Sequence, residues 1–149
     1  GHRFSFFNQL IIAQKVTDKF SVQVAPSHSH QNFVNGYYTK NDSSGKETFK
    51  EMKHEHFAVA VSARYKLTNV TSVMVNYDQP ITKHNINNPD PNLSFGVEFN
   101  TSSHSFQLFL GNYFFLSQQR NNLYNQNDPF PLSKRKFLFG FNITRLWNY

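Results

Sequence analysis

Along most of this chain hydrophobic and polar residues alternate one by one. In the stretch 136–147, K-F-L-F-G-F-N-I-T-R-L-W, Phe137, Phe139, Phe141 and Ile143 share one side, and Leu138, Gly140, Asn142 and Thr144 the other. A period of two is that of a β-strand with two unlike faces. Six further stretches repeat it. Residues 3–16 set Phe4, Phe6, Leu10 and Ile12 against Ser5, Phe7, Gln9 and Ala13, and residues 20–34 begin with Phe20, Val22 and Val24 against Ser21, Gln23 and Ala25. Pro26 then removes a ladder donor, which predicts a bulge or a sheet edge. The clearest pattern, 54–67, faces Phe57, Val59, Val61, Ala63, Tyr65 and Leu67 one way and Ala58, Ala60, Ser62, Arg64 and Lys66 the other. Strands at 71–79, ended by Pro80, at 92–100 and at 105–116 complete a set of seven.

The connections alternate in length: short at 17–19, 68–70 and 102–104, long and polar at 35–53, 81–91 and 118–133. Short turns at one end and long loops at the other follow the rule of outer-membrane barrels. Soluble sandwiches and lipocalin-type barrels have no reason to keep every long loop at one end. Small polar residues on the second face also suit a wet lumen better than a packed core. The expected fold is therefore all-β, a single antiparallel up-and-down transmembrane β-barrel domain over residues 1–149. Its lipid belt should comprise Phe57, Val59, Val61, Val73, Val75, Leu93, Phe95, Val97, Phe106, Leu108, Phe137, Phe139 and Phe141, with Tyr65, Tyr77 and Trp147 at the interfaces. With Trp147 on the periplasmic side, counting back through seven strands puts the start of the first outside the cell. Since both termini of an even-stranded barrel are periplasmic, the expectation is a C-terminal part of a larger barrel, with at least one strand before Gly1.

Composition agrees. Seventeen Phe and seven Tyr stand beside one Trp and no Cys in 149 residues, yet only 38% are hydrophobic, as expected when alternate residues face lipid. No apolar run approaches the roughly 20 residues of a membrane helix. The charge of +6 is scattered, with Lys134-Arg135-Lys136 the only basic run, which reads as a headgroup-facing strand start and not as a nucleic-acid surface. A soluble, calycin-like ligand-binding barrel is the alternative. The Phe residues discriminate: an exposed belt means lipid, a Phe-filled interior a soluble core.

The segments L-S-F-G-V-E-F-N-T-S-S-H-S-F-Q-L-F (93–109), F-G-F-N-I-T-R-L-W (139–147) and A-V-S-A-R-Y-K-L (60–67) resemble an uncharacterised outer-membrane β-barrel family of Gram-negative bacteria. The resemblance covers most of the chain. It implies a barrel in the bacterial outer membrane and carries no catalytic residue; members of that family look longer on the N-terminal side.

Several residues could carry chemistry within this frame. His28-x-His30 and His54-x-His56 flank the first long loop, and four imidazoles would complete a zinc site. However, His54 and His56 fall in register with inward Ala58 and Ala60, whereas His28 and His30 follow outward Val22 and Val24 unless Pro26 shifts the phase. Rim histidines are the plainer reading, with His54 and His56 the residual metal candidates. A barrel hydrolase would need a nucleophile, base and acid together, but no G-x-S-x-G, H-E-x-x-H or phosphate loop occurs, and Ser102-Ser103-His104 reads as a hairpin turn. The lumen candidates for ligand binding are Arg64, Lys66, Asp78 and Glu98. A three-residue turn at 68–70 pairs Arg64 with Met74, and a loop symmetric about residue 86 places Met74 opposite Glu98, so Arg64 and Glu98 should meet across the lumen wall, with Lys66 and Asp78 extending it. The expected function is that of a porin-like channel or structural subunit of an envelope assembly, not an enzyme, without a cofactor. Its expected partners are outer-membrane lipid and other envelope proteins, not nucleic acid.

Overall fold

The computed structural model describes residues 4–40, 45–84, 86–131 and 136–145. Its strands are β1 (Ser5–Gln9), β2 (Ile12–Lys15), β3 (Phe20–Gln31), β4 (Gly36–Lys40), β5 (Glu47–Glu51), β6 (Glu55–Lys66), β7 (Thr71–Pro80), β8 (Asn92–Asn100), β9 (His104–Gly111) and β10 (Leu138–Arg145); one helix, α1 (Gln118–Tyr124), precedes β10. The main sheet is antiparallel, in the order β1-β3-β6-β7-β8-β9-β10, with β2 also on β3, and it curves into a half-barrel. Among the described residues β1 and β10 do not pair, so the sheet is open, and its two edge strands run in the same direction.

β1 and β2 are one strand in register. Gln9 faces Ser27 and Ile12 faces Val24, so both chains advance three residues and no residue is inserted. The interruption is Pro26. Its carbonyl accepts the Leu10 N–H at 3.0 Å, but it has no N–H to return. The bulge or edge expected there is absent: Pro26 lies inside a twelve-residue strand flanked on both sides, paired with Val59. With no change of phase, His28 and His30 stay on the outward face.

The outward face is built of cross-strand rows. Val75, Phe95, Leu110 and Phe139 form one; Val73, Val97, Leu108 and Phe141 a second; Phe99, Phe106 and Ile143 a third. Phe57, Phe95, Phe139 and Phe141 are each about half or more exposed, whereas the buried apolar residues among those described are only Ala25, Ala58, Ala60 and Leu123. Exposed Phe rows over a scarcely apolar interior are the lipid arrangement, opposite to a calycin core. Phe137 is half-buried, and Trp147 lies outside the described residues, as do Lys134 and Arg135.

All three short turns use a threonine. The hydroxyl of Thr17 accepts the backbone N–H of Lys19 and Phe20, and that of Thr68 the N–H of Val70 and Thr71. Thr101 Oγ1 accepts the N–H of His104. These side-chain turns satisfy backbone donors at the hairpin ends.

The long connections depart from expectation. Residues 35–53 are not a structureless loop but carry the separate hairpin β4–β5, in which Tyr38 faces Phe49. Its polar, charge-alternating sequence hid two five-residue strands. Residues 118–133 contain α1, and β9 ends at Gly111, short of the expected 116, because the chain there turns inward instead of continuing the wall.

Candidate functional site

The concave face has two unlike halves. At the end of the short turns it is an open trough of about 420 Å³, lined by Ser21, Gln23, Ser62, Arg64, Met74 and Ser94 among others. At the end of the long loops the segment 112–131 lies across it.

That segment is held by side chains, not by helix propensity. α1 has seven residues, no side-chain cap from Ser117 and no acid in its first turn, so it would not persist alone. Carboxamides fix it. Asn92 Nδ2 donates to Asn122 Oδ1 at 2.7 Å, and Asn125 Nδ2 donates to Asn92 Oδ1 at 3.0 Å. Asn112 accepts the Leu93 N–H at 2.7 Å and donates to the carbonyls of Pro91 at 2.8 Å and Asn127 at 2.6 Å. Asn121 closes the turn before α1 by bonding both the N–H and the carbonyl of Phe115. Tyr124 OH reaches Gln31 at 2.7 Å, and Gln118 Nε2 donates to Asp78 Oδ2 at 2.8 Å. Asn92, Asn112, Asn122 and Asn125 are all buried to 2% exposure or less. An amide has both donor and acceptor, so such residues satisfy one another where water does not reach.

Asp78 and His56 lie in the same buried layer. Asp78 Oδ1, Asn122 Nδ2 and both ring nitrogens of His56 lack a hydrogen-bond partner. Beside His56, the imidazole of His84 stacks at 5.8 Å and 9°. His84 lies in the loop after β7 and accepts the Lys53 N–H at 3.2 Å. Burial, and secondarily the Lys53 charge, holds its pKa below the ordinary histidine value.

Arg64, Lys66, Asp78 and Glu98 all fall on the inward side of their strands, but they do not form one wall. Arg64 Nη2 meets Glu98 Oε1 at 2.5 Å, as expected, though by a different register. Arg64 does pair with Met74, but Met74 faces Gly96, and Glu98 faces Ser72. The pairing is symmetric about position 85 and not 86, which moves each partner by two residues. The ion pair survives because Gly96 presents no side chain and Ser72 a small one, leaving Arg64 free to cross diagonally. Glu98 also accepts from Asn100 and Gln107, both at 2.7 Å. Lys66 is exposed at the turn end, while Asp78 is sealed under α1.

The histidines divide. His56 is inward, opposite Ser29. His54 donates from Nδ1 to the Gln31 carbonyl at 2.7 Å, at the rim. His28 and His30 face outward, clamp the Glu55 carboxylate at 2.5 and 2.6 Å, and stack on Phe57 and Phe6. His54 stacks on His30 at 6.3 Å at the rim while His56 points inward, so the four imidazoles do not assemble the zinc site in which His54 and His56 were candidates. Among the described residues no three His, Cys, Asp or Glu side chains converge as metal ligands.

The sequence reading missed the asparagines. Their signal was density: Asn121, Asn122, Asn125 and Asn127 fall within seven residues of the stretch read as a polar loop, with Asn112 in the expected strand before it.

No curated protein and no solved structure matches the chain. The family model described as "Membrane bound beta barrel domain (DUF5777)" matches residues 1–147. The chain, with its apolar outward rows and polar concave face, belongs to this family of membrane-bound β-barrel domains.

Proposed function

We propose that this domain forms the wall of a polar passage through the outer membrane of a Gram-negative bacterium, narrowed at its long-loop end by its own segment 112–131, and that it performs no covalent chemistry. One observation carries the reading: the strands that expose Phe rows outward present Ser, Asn, Gln and Arg64 inward, and a segment fixed by carboxamides covers only one half of that inward face. A purely structural wall has no use for polar side chains turned inward beside an open trough, and a plugged pore does. Lipid contacts the outward rows, and other envelope proteins, but no nucleic acid, are the expected neighbours. The test is conductance of the natural full-length protein in planar bilayers, beside a variant in which Gln118–Gln126 is replaced by a short Gly-Ser linker. Small steps that enlarge in the variant support the passage. Silent bilayers for both, with the protein inserted, overturn it in favour of a wall without a pore.

A further inference from the structure

Beneath α1 a cavity of about 240 Å³ opens between the segment and the strands. It adjoins the trough through Gln23 and Asn76, which line both. We infer that this cavity is a binding subsite for a small neutral polyol of the size of one pyranose ring. The inference deepens the passage reading, on which its physiological meaning rests.

Four features point to this ligand. The cavity falls below the roughly 300–1,000 Å³ usual for drug-sized ligands, so its occupant is small. Its polar lining is carboxamide, from Asn76, Asn92 and Gln118 among others, with Asp78 the only charged side chain among the described residues that line it. Carboxamides offer a donor and an acceptor side by side, which matches vicinal hydroxyls that both give and accept. Asp78 is 2% exposed, with Oδ2 bonded to Gln118 and Oδ1 enclosed in the layer that holds Asn122, so a ligand meets the amides of this lining more than a free charge. Finally, the rings of Tyr113 and Phe115 line the same space, and Tyr113 is fixed by its hydroxyl donating to Ser94 Oγ at 3.0 Å. Rings of this kind pack against the C–H face of a sugar.

Ions fit less well. An anion would meet no cationic side chain in this lining, since Arg64 lies in the other half, bonded to Glu98. A divalent cation would want several charged oxygens, and Asp78 is alone.

The experiment uses the full-length protein in detergent, titrated calorimetrically with glucose, with mannitol, and with citrate and calcium chloride as charged comparators, alongside bilayer conductance with glucose added. The expected result is saturable glucose binding, no citrate or calcium binding, and reversible block of the current. Asn76→Ala and Tyr113→Leu should each weaken glucose binding about three- to tenfold, with the thermal transition within a few degrees of the parent. Glucose binding without any conductance would keep the subsite and overturn the passage. Conductance without glucose binding or block would overturn the subsite alone. Calcium or citrate binding in place of glucose would overturn the ligand class, and absence of both binding and conductance would overturn both. Should either variant fail to fold, the parent titration decides.

Discussion

The two halves of the concave face use polar side chains in opposite ways. At the turn end Arg64 and Glu98 are charged and Arg64 is half-exposed, with an open trough beside them. At the loop end most polar groups are amides, of which Asn92, Asn112, Asn122 and Asn125 are buried to 2% or less, and they bond largely to one another, with Asp78 and His56 buried among them. Amides satisfy one another where water does not reach, and the one carboxyl placed among them, Asp78, is held by Gln118. The loop half is therefore a cover held by hydrogen bonds over the inward face, and the turn half an open wall.

The most severe test of that contrast is Asn112→Ala. Two backbone groups, the Leu93 N–H and the Asn127 carbonyl, lose their partner in a site 1% exposed, and the Pro91 carbonyl keeps only the Asn125 amide at 3.3 Å. The expected loss is about 3–4 kcal/mol, at roughly 1–3 kcal/mol per stranded group partly recovered by water. Asn142→Ala, on the exposed inward side of β10, should change stability by less than about 0.5 kcal/mol. Equal losses in chemical denaturation from the bilayer would erase the distinction between cover and wall.

The next test sets the concave face against the outward one. Phe139→Arg places a charge in the Phe row, where midplane positions cost about 2–4 kcal/mol, while Asn142→Arg, three residues on and facing inward, should cost little. A reversal of that order would mean that lipid lies on the concave side. A smaller effect belongs to Gly140. A Cβ there would fall within the ring of Phe109, its cross-strand neighbour. Gly140→Ala should cost about 1–2 kcal/mol by overpacking, and Phe109→Ala in the same chain should recover most of it.

Acid should also separate the halves. The pKa of His84 is lowered in the folded protein, so the unfolded chain binds the extra proton first, and stability from this group is complete above about pH 6.5 and declines as pH falls below it. His84→Gln should flatten that part of the pH profile measured by thermal unfolding. An unchanged profile would show that burial beside Lys53 does not hold His84 neutral.

Much of this architecture was legible because a strand writes its faces into alternate residues. Seven stretches, the lengths of the short turns and the lipid rows follow from period alone. What was not legible depends on groups with no period. Pro26 was read as a break because its missing donor is visible in sequence, whereas the continuity of the register that tolerates it is not. Residues 118–127 read as solvated loop because Asn and Gln favour water singly; that Asn92 and Asp78 wait for them on distant strands is a tertiary fact. The hairpin β4–β5 sets one aromatic pair, Tyr38 against Phe49, among charged and polar residues, so no sustained alternation announced it.

The gentlest perturbation is also the one that examines register. Arg64 and Glu98 face inward on strands separated by β7, and they meet although the 81–91 loop places Ser72, not Met74, opposite Glu98. The pair therefore needs only the correct face and a low obstacle between, which Ser72 and Gly96 provide. Such a pair beside solvent is worth about 0–1 kcal/mol. Arg64→Gln should accordingly lower stability by less than about 1 kcal/mol, because Glu98 keeps its bonds from Asn100 and Gln107. Gly96→Leu raises the obstacle without touching either charge, and it should uncouple the pair. A double-mutant cycle on Arg64→Gln and Glu98→Gln, measured in the parent and in the Gly96→Leu background, reads this directly. Coupling of the same size in both backgrounds would show that the guanidinium does not cross over Gly96, and that the diagonal route is wrong.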